Sequence, residues 1–339
     1  MVIISHGDFT DSLAPLVAWR QSQGLKVAVV NVEDLYDEFN FGVKSPYAIR
    51  SFLSAAKANW STKPAYVLLV GNGTSDPRNY LETTVPDLVP VKLVDTNVIK
   101  TASDDWFVDF DNDGIPEMAI GRLPARTKDQ AAAMVNKIVA YEQGGAGGGR
   151  YDVLLVAGQN DSQNDFEAYA DALGALLPRT LSVKQIFEGS DPSAHTDLED
   201  SINDLGVGLV NYIGHGSTDM WAGGLLSSTD ALALTNGSRT PVVIAMTCLN
   251  GYFQDVYTNS LAEALMNALG GGAVAVWASS GLTGSGPQAA MDQALIRVLY
   301  GSQPLTLGEA AARAKRAVSD PNVRKTWILF GDPAMDVRW

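Results

Sequence analysis

The chain has 339 residues, of which 46% are hydrophobic, and a formal net charge of −14. This acidic balance argues against nucleic acid or an anionic membrane as partner, because both require basic patches. The single cysteine excludes an internal disulfide, and no apolar run reaches the roughly 18 residues of a membrane span. The length fits one large domain or two smaller units.

The first half of the chain alternates between two periodicities. Short apolar runs predict buried strands at residues 2–5, 26–30, 66–70 and 117–121. Segments with helical spacing predict helices at residues 13–23, 46–59 and 127–141, with Ser45 and Thr127 as N-caps. The alternation predicts an α/β fold with a largely parallel sheet flanked by helices.

A glycine-rich run interrupts this pattern and predicts a flexible connection. We therefore expect an N-terminal α/β subdomain at 1–143, a linker at 144–150 and a second α/β subdomain at 151–339. In the second half, strands are predicted at 152–157, 183–187 and 273–278 and at the two runs described below. Helices are predicted at 165–177, 197–204, 229–234, 260–269, 288–300 and 306–318.

An acidic segment, Asp109-Phe-Asp-Asn-Asp-Gly-Ile-Pro-Glu117, follows the first-half strands. Carboxylates at alternate positions before a glycine are typical of a calcium loop, so Asp109, Asp111, Asp113 and Glu117 are candidate ligands of a structural Ca²⁺. The segment is not an EF-hand, because Ile120 stands at the twelfth position. A solvated acidic turn is the alternative interpretation.

Two buried runs in the second half end in reactive side chains. One ends at His215, beside Gly216, and the other ends at Cys248, shortly before Gly251. Ligands bind outside the carboxyl ends of the strands in open α/β sheets, so neighbouring strands would bring an imidazole and a thiol together. That pair can support a cysteine nucleophile with a histidine base. A buried structural cysteine is the alternative.

The blocks Asn211-Tyr-Ile-Gly-His-Gly-Ser217, Ala245-Met-Thr-Cys-Leu-Asn-Gly251 and Leu261-Ala-Glu-Ala-Leu265 resemble the gingipain-type cysteine peptidases of the caspase-like group. Three other segments agree with this resemblance in the family's order: Val67–Gly73, Ile115–Pro124 and Trp327–Pro333. The resemblance spans nearly the whole chain and implies a caspase-like fold and a cysteine endopeptidase. A peptidase of this kind needs no cofactor for catalysis.

The resemblance also implies roles for individual residues. Cys248 would form a thioester, His215 would transfer protons, and the backbone N–H groups of Gly216 and Cys248 would form the oxyanion hole. A third residue near the histidine could be Gln159, Asp161 or Glu188.

A substrate pocket with a basic P1 preference is a further implication. The acidic position of the family pocket falls near Asp165, which could instead be a helix N-cap, and the aromatic position falls near Ser285. The glycine- and serine-rich run at 279–286 would form a wall of the cleft.

Other functions stay open at this point. A sortase-like transpeptidase could use the same two residues, and a non-catalytic surface or calcium-binding module could retain the fold. The resemblance also implies a secreted or cell-surface protein cut from a longer multidomain precursor, with peptide or protein substrates.

Overall fold

A computed structural model describes residues 1–145, 149–303 and 305–337. The strands are β1 Val2–Ser5, β2 Ala28–Asn31, β3 Tyr66–Val70, β4 Leu93–Asp95, β5 Lys100–Ala102, β6 Ala119–Leu123, β7 Tyr151–Ala157, β8 Val183–Phe187, β9 Val207–Ile213, β10 Val242–Met246, β11 Ala275–Ser279 and β12 Trp327–Phe330. Ten of them form one sheet in the order β2-β1-β3-β6-β12-β11-β10-β9-β7-β8, and β4 and β5 pair separately.

Eleven α-helices lie within the described residues. They are α1 Ala14–Ser22, α2 Val32–Asn40, α3 Pro46–Asn59, α4 Lys128–Ala140, α5 Phe166–Gly174, α6 Ala194–Asp200, α7 Ser228–Ala233, α8 Leu261–Asn267, α9 Ser285–Leu299, α10 Leu307–Lys315 and α11 Pro321–Thr326. Ser45 and Thr127 cap α3 and α4 through their side chains, as predicted.

Helices cover both faces of the sheet. Alternate residues of β1 point to opposite sides, so Ile3 joins one apolar cluster with α1 and α4 while Val2 and Ile4 join another with α2 and α3. All pairings within the ten-stranded sheet are parallel except that of β11 with β12. The predicted α/β fold with a mostly parallel sheet flanked by helices is confirmed.

The sheet runs without interruption through the two predicted halves. Strand β12 lies between β6, which it pairs in parallel, and β11, which it pairs antiparallel. Beside this junction Arg122 is fully buried and makes two 2.8 Å bonds to the carboxylate of Asp104. The division into two subdomains stays a prediction, and residues 146–148 of its linker lie outside the described residues.

Several short elements were not predicted from the sequence. They are α2, α11, β12 and the β4–β5 hairpin. Helix α2 is highly charged and starts directly after β2, where the Asn31 side chain accepts a bond from the N–H of Glu33. Strand β12 has only four residues and follows a six-residue helix without a glycine or a loop. In the described part of the chain, no helix has the length and apolar character to cross a membrane.

Candidate active site

The two reactive side chains follow adjacent strands at equivalent positions. Strands β9 and β10 are parallel neighbours, and Ile213 pairs with Met246 at their carboxyl ends. His215 and Cys248 each come two residues later. The two strands are therefore adjacent, and both residues lie at the edge of the sheet where ligands bind in α/β folds.

The backbone around His215 is fixed by residues that precede and follow it. The His215 carbonyl accepts bonds from the Tyr212 hydroxyl at 2.6 Å and from the Ala222 N–H at 2.9 Å. The Tyr212 ring stacks on Trp221, with centroids 4.1 Å apart. A Cβ on Gly216 would lie 2.6 Å from the Thr247 hydroxyl, so only glycine fits beside the histidine. The imidazole itself is exposed, with 61% of its side-chain surface accessible.

Cys248 precedes a tight turn. Leu249 has a φ of 61°, an uncommon value for a residue with a side chain, and the N–H of Asn250 donates to the Cys248 carbonyl at 2.8 Å. The Leu249 N–H donates to the carbonyl of Gly281, which follows β11. A strained backbone conformation of this kind persists only where the surrounding structure holds it in place. Such conformations are common at functional sites.

Asn250 joins the two loops. Its side chain is buried, accepts a 2.8 Å bond from the Trp221 indole and donates a 2.7 Å bond to the carbonyl of Ser217. The loop after β10 is thereby tied to the loop after β9 at two points. These bonds hold the two loops in a fixed position relative to each other.

Asp161 contacts the imidazole directly. Nε2 of His215 donates to Oδ2 of Asp161 at 2.6 Å. Asn164 donates to both oxygens of the same carboxylate, at 3.1 and 2.9 Å. Hydrogen bonds from Asn164 and then from His215 hold the pKa of Asp161 well below its usual range. The carboxylate is therefore ionised and accepts from the ring at neutral pH.

The other two candidates for the third residue lie elsewhere. Glu188, at the end of β8, accepts a 3.0 Å bond from the backbone N–H of Gln159 and packs against Gly223. No contact with the His215 ring is found for Gln159 or Glu188 within the described residues. The structure thus brings Asp161, and neither of these two, to the histidine.

The predicted pocket residues border the loops near the cysteine. Asp165 caps α5, because its Oδ1 accepts from the N–H of Ala168 and from the amide of Asn160, both at 3.0 Å. Ser285 is the first residue of α9, and its hydroxyl donates to the side chain of Asn164. The wall predicted at 279–286 does lie beside Cys248, whose thiol donates to the carbonyl of Thr283 at 3.6 Å.

Burial raises the pKa of the Cys248 thiol. The thiol is therefore protonated at neutral pH in the resting protein. The protonation state of this thiol could not be predicted from the sequence, because the sequence does not show how deeply the sulfur is buried. Neither Gly216 nor Cys248 uses its backbone N–H in a hydrogen bond to another described residue.

The acidic loop forms a cluster remote in the fold from the two reactive residues. Carboxylate oxygens of Asp109, Asp111 and Glu117 lie within 4.8 Å of one another. Asp113 is not in this group, because its carboxylate accepts from the N–H of Ile115 at 2.8 Å. Burial is the main cause that raises the pKa of both Asp109 and Glu117.

Sequence reasoning missed three residues that organise the site. Asn250 and Trp221 have no motif of their own, although Asn250 lies inside the block that carries the resemblance. Asn164 has no distinctive sequence signal either, because an amide in a short polar segment is typical of an ordinary turn. A polar residue placed two positions after a candidate nucleophile was the available signal.

The comparisons with known proteins agree over the whole chain. The family model for peptidase family C25 matches residues 1–338. Gingipain R2 of Porphyromonas gingivalis is 23% identical over all of this chain, which spans 46% of its length. Lys-gingipain W83 of the same species is 23% identical over 76% of this chain, which spans 14% of its length. The chain thus spans less than half the length of these curated relatives.

Solved structures give the same fold. The crystal structure of the Arg-specific cysteine proteinase gingipain R superimposes with a TM-score of 0.85 at 22% identity, covering all of this chain and 78% of that one. A second protease structure gives 0.81 at 17% identity, covering 99% of this chain and 78% of the other. The chain therefore belongs to peptidase family C25.

Proposed function

We propose that this chain hydrolyses peptide bonds through a thioester on Cys248, with His215 as the proton carrier and Asp161 as the residue that orients it. The observation that carries the proposal is the 2.6 Å bond from His215 Nε2 to Asp161, made by a histidine whose position is equivalent to that of the cysteine on the next strand.

The bond to Asp161 determines which ring nitrogen can act as base. A carboxylate only accepts, so Nε2 carries a proton and Nδ1 has the lone pair in the neutral imidazole. Because the resting thiol is protonated, Nδ1 takes the Cys248 proton as the sulfur attacks the peptide carbonyl carbon. The unused N–H groups of Gly216 and Cys248 are suited to bind the developing oxyanion.

Collapse of the tetrahedral intermediate breaks the C–N bond. The amine leaves with the proton from Nδ1, and the acyl group remains on sulfur as a thioester. A water molecule then attacks the thioester, gives one proton to Nδ1 and releases the carboxylic acid, and Cys248 regains its proton. The carboxylate of Asp161 stabilises the imidazolium in both steps, as the acidic partner does in a catalytic triad.

A basic P1 preference is the finer part of the proposal. Asp165 uses Oδ1 for both of its hydrogen bonds, which leaves Oδ2 available to a guanidinium or ammonium group. The gingipain R structure that this fold matches is that of an Arg-specific proteinase. The serine at 285 in place of an aromatic wall would weaken the discrimination.

An irreversible peptidyl probe directed at thiols tests the proposal, with Arg, Lys and Ala compared at P1. Mass spectrometry locates the adduct, and His215→Ala is the control. Rapid labelling of Cys248 that depends on His215 and favours Arg or Lys is expected. Labelling that is slow, or equal in the His215→Ala variant, would overturn the assignment. Acyl transfer to an added amine in preference to water would identify a transpeptidase.

We also propose that Asp109, Asp111 and Glu117 bind a structural Ca²⁺. Three carboxylates with oxygens within 4.8 Å repel one another, and a hard cation with oxygen ligands would neutralise them. The secreted or surface location implied by the family resemblance would suit such a site, since calcium is abundant outside the cell. Fractionation of the native organism tests that location.

A further inference from the structure

A second cluster of ligand side chains lies on the far side of the loop that follows His215. It consists of His195 and Glu199 on α6 and Asp230 on α7, and one ligand atom from each lies within 4.8 Å of those from the others. His195 Nε2 and Glu199 Oε2 are 3.5 Å apart. We propose that these three residues bind a divalent transition-metal ion of the zinc class.

The separation of the ligand atoms fits such an ion. Zinc bonds nitrogen and oxygen at about 2.0–2.2 Å in a tetrahedron, which places two ligand atoms about 3.3–3.6 Å apart. The His195–Glu199 distance already has this value, and a ligand atom of Asp230 lies within 4.8 Å of both. One imidazole and two carboxylates suit zinc, manganese or nickel better than calcium, which prefers oxygen alone.

The ring of His195 is held in the tautomer that a metal needs. Its Nδ1 lies 3.2 Å from the carbonyl of Leu225, and a carbonyl can only accept, so Nδ1 carries the proton. In the neutral ring Nε2 then has the lone pair, and it faces Glu199. A metal-bound histidine commonly donates its other nitrogen in this way, and the bond fixes the ring orientation.

The carboxylates are also arranged for a cation. Oδ2 of Asp230 accepts from the N–H and hydroxyl of Ser227 at 2.8 and 2.7 Å, which orients the group and leaves Oδ1 available. Among the ion pairs of the described residues, neither Glu199 nor Asp230 has a lysine or arginine partner. Two neighbouring carboxylates with no lysine or arginine partner beside a neutral histidine leave a local negative charge that a divalent ion neutralises.

The position of the cluster gives the ion a consequence for the active site. Leu225 ends the loop that starts at Ala222, whose N–H donates to the His215 carbonyl. Gly223 and Gly224, with φ of 69° and 74°, lie between them, so this loop has the conformational freedom of glycine. An ion that fixes His195 also fixes the Leu225 carbonyl and restricts the loop that supports His215. Metal binding does not depend on the proposed peptidase function, although this effect on the active site does.

Zinc titration by calorimetry tests the site. The thiol and imidazole of the active site also bind zinc, so the titration uses a Cys248→Ala, His215→Ala double variant. One zinc ion should bind, and Glu199→Gln on that background should lower the affinity at least ten-fold. His6→Ala is the matched control, because His6 also faces a carboxylate, Asp8 at 3.7 Å, without a third ligand. The control should bind zinc as the parent does, and Asp111→Ala should too if the ion lies at His195.

Glu199→Gln is the informative variant because the only contact found for the Glu199 carboxylate within the described residues is with His195. Its melting temperature without zinc should equal that of the parent. Hydrogen exchange of the amides of residues 222–225 should slow when zinc is added to the Cys248→Ala, His215→Ala protein. It should stay unchanged when Glu199→Gln is present on the same background. An absence of zinc binding, or an equal affinity in Glu199→Gln, would overturn the site. Unchanged exchange in the zinc-bound parent would overturn its effect on the loop.

Discussion

The indole N–H of Trp221 and the side-chain oxygen of Asn250 are 2.8 Å apart, and their hydrogen bond links the two loops that carry His215 and Cys248. The same Asn250 side chain donates to the carbonyl of Ser217. The relative position of base and nucleophile therefore depends on a side chain that makes no contact with either reactive atom in the described residues.

Asn250→Ala should lower both activity and stability. It leaves the buried Trp221 N–H and the Ser217 carbonyl without partners, which costs about 1–3 kcal/mol for each group. Urea unfolding and kcat/KM measure the two effects. Trp221→Phe keeps a ring against Tyr212 and loses one hydrogen bond, so it should cost less in both assays. An Asn250→Ala enzyme with normal kcat/KM would contradict the positioning role.

Asp161→Asn should reduce kcat by about 100-fold with little change in KM, because the amide cannot stabilise the imidazolium. Steady-state kinetics on one peptide substrate measures it. Glu188→Gln is the matched control, since the Glu188 carboxylate lies on the neighbouring loop and has no contact with the ring among the described residues. Equal losses of kcat in the two variants would show that Asp161 does not stabilise the imidazolium. Because the pKa of Asp161 is lowered, its carboxylate stays ionised under mildly acidic conditions and does not set the acidic limb of the profile.

Alkylation of Cys248 by iodoacetamide without substrate should have its inflection above the ordinary thiol pKa of about 8.5. Burial raises the pKa of this thiol, so the reactive thiolate forms only at higher pH. Timed alkylation followed by mass spectrometry gives the profile. His215→Ala should leave the inflection nearly unchanged. An inflection well below neutrality that moves upward in this variant would indicate a preformed thiolate–imidazolium pair instead.

Asp292 should make the protein less stable as the pH rises from about 4 to 7. Burial raises the pKa of this carboxyl to about 7, while Asn211 donates a 2.8 Å bond to it. The folded state then binds a proton that the unfolded state releases near pH 4, so the stabilisation is complete below pH 4 and is lost as the pH rises through 7. The effect is on the order of a few kcal/mol. Asp292→Asn should flatten this part of the curve of unfolding free energy against pH. An unchanged slope would show that Asp292 titrates normally.

Calcium should raise the melting temperature of the parent protein by about 5 °C at a hundredfold excess over Kd. Asp111→Ala should abolish this rise, because Asp111 belongs to the carboxylate cluster. Asp113→Ala should retain it, since that carboxylate accepts from the Ile115 N–H and lies outside the cluster. A parent protein whose melting does not respond to calcium would eliminate the site.

Much of the fold follows from local signals. The apolar run Tyr66–Val70 coincides with an observed strand, because a strand buried on both faces leaves a continuous apolar segment. The sequence does not show the order of the strands. The insertion of Trp327–Phe330 between the two halves depends on distant pairings, and a four-residue run gives no indication of its partners.

In the candidate site, too, some features could be predicted from the sequence and others could not. His215 and Cys248 could be identified because each ends an apolar run, and the blocks around them resemble a family. The choice among Gln159, Asp161 and Glu188 required the path of the loop after β7, which hydrogen bonds between Asp161 and Asn164 determine. The raised pKa of Cys248 depends on burial by residues that are remote in sequence.

The central position of β12 has a consequence for how the protein is made. Until the ribosome has synthesised Trp327–Phe330, strands β6 and β11 both have an unpaired edge, although the residues of β6 were synthesised long before. A nascent chain therefore presents the open edge of β6 for much of its synthesis and later the open edge of β11 as well, and such edges favour aggregation. The two parts of the sheet can join only after translation has passed this strand, so the whole sheet folds late. Truncation before Trp327 would leave two separate sheets, each with an exposed edge that favours aggregation.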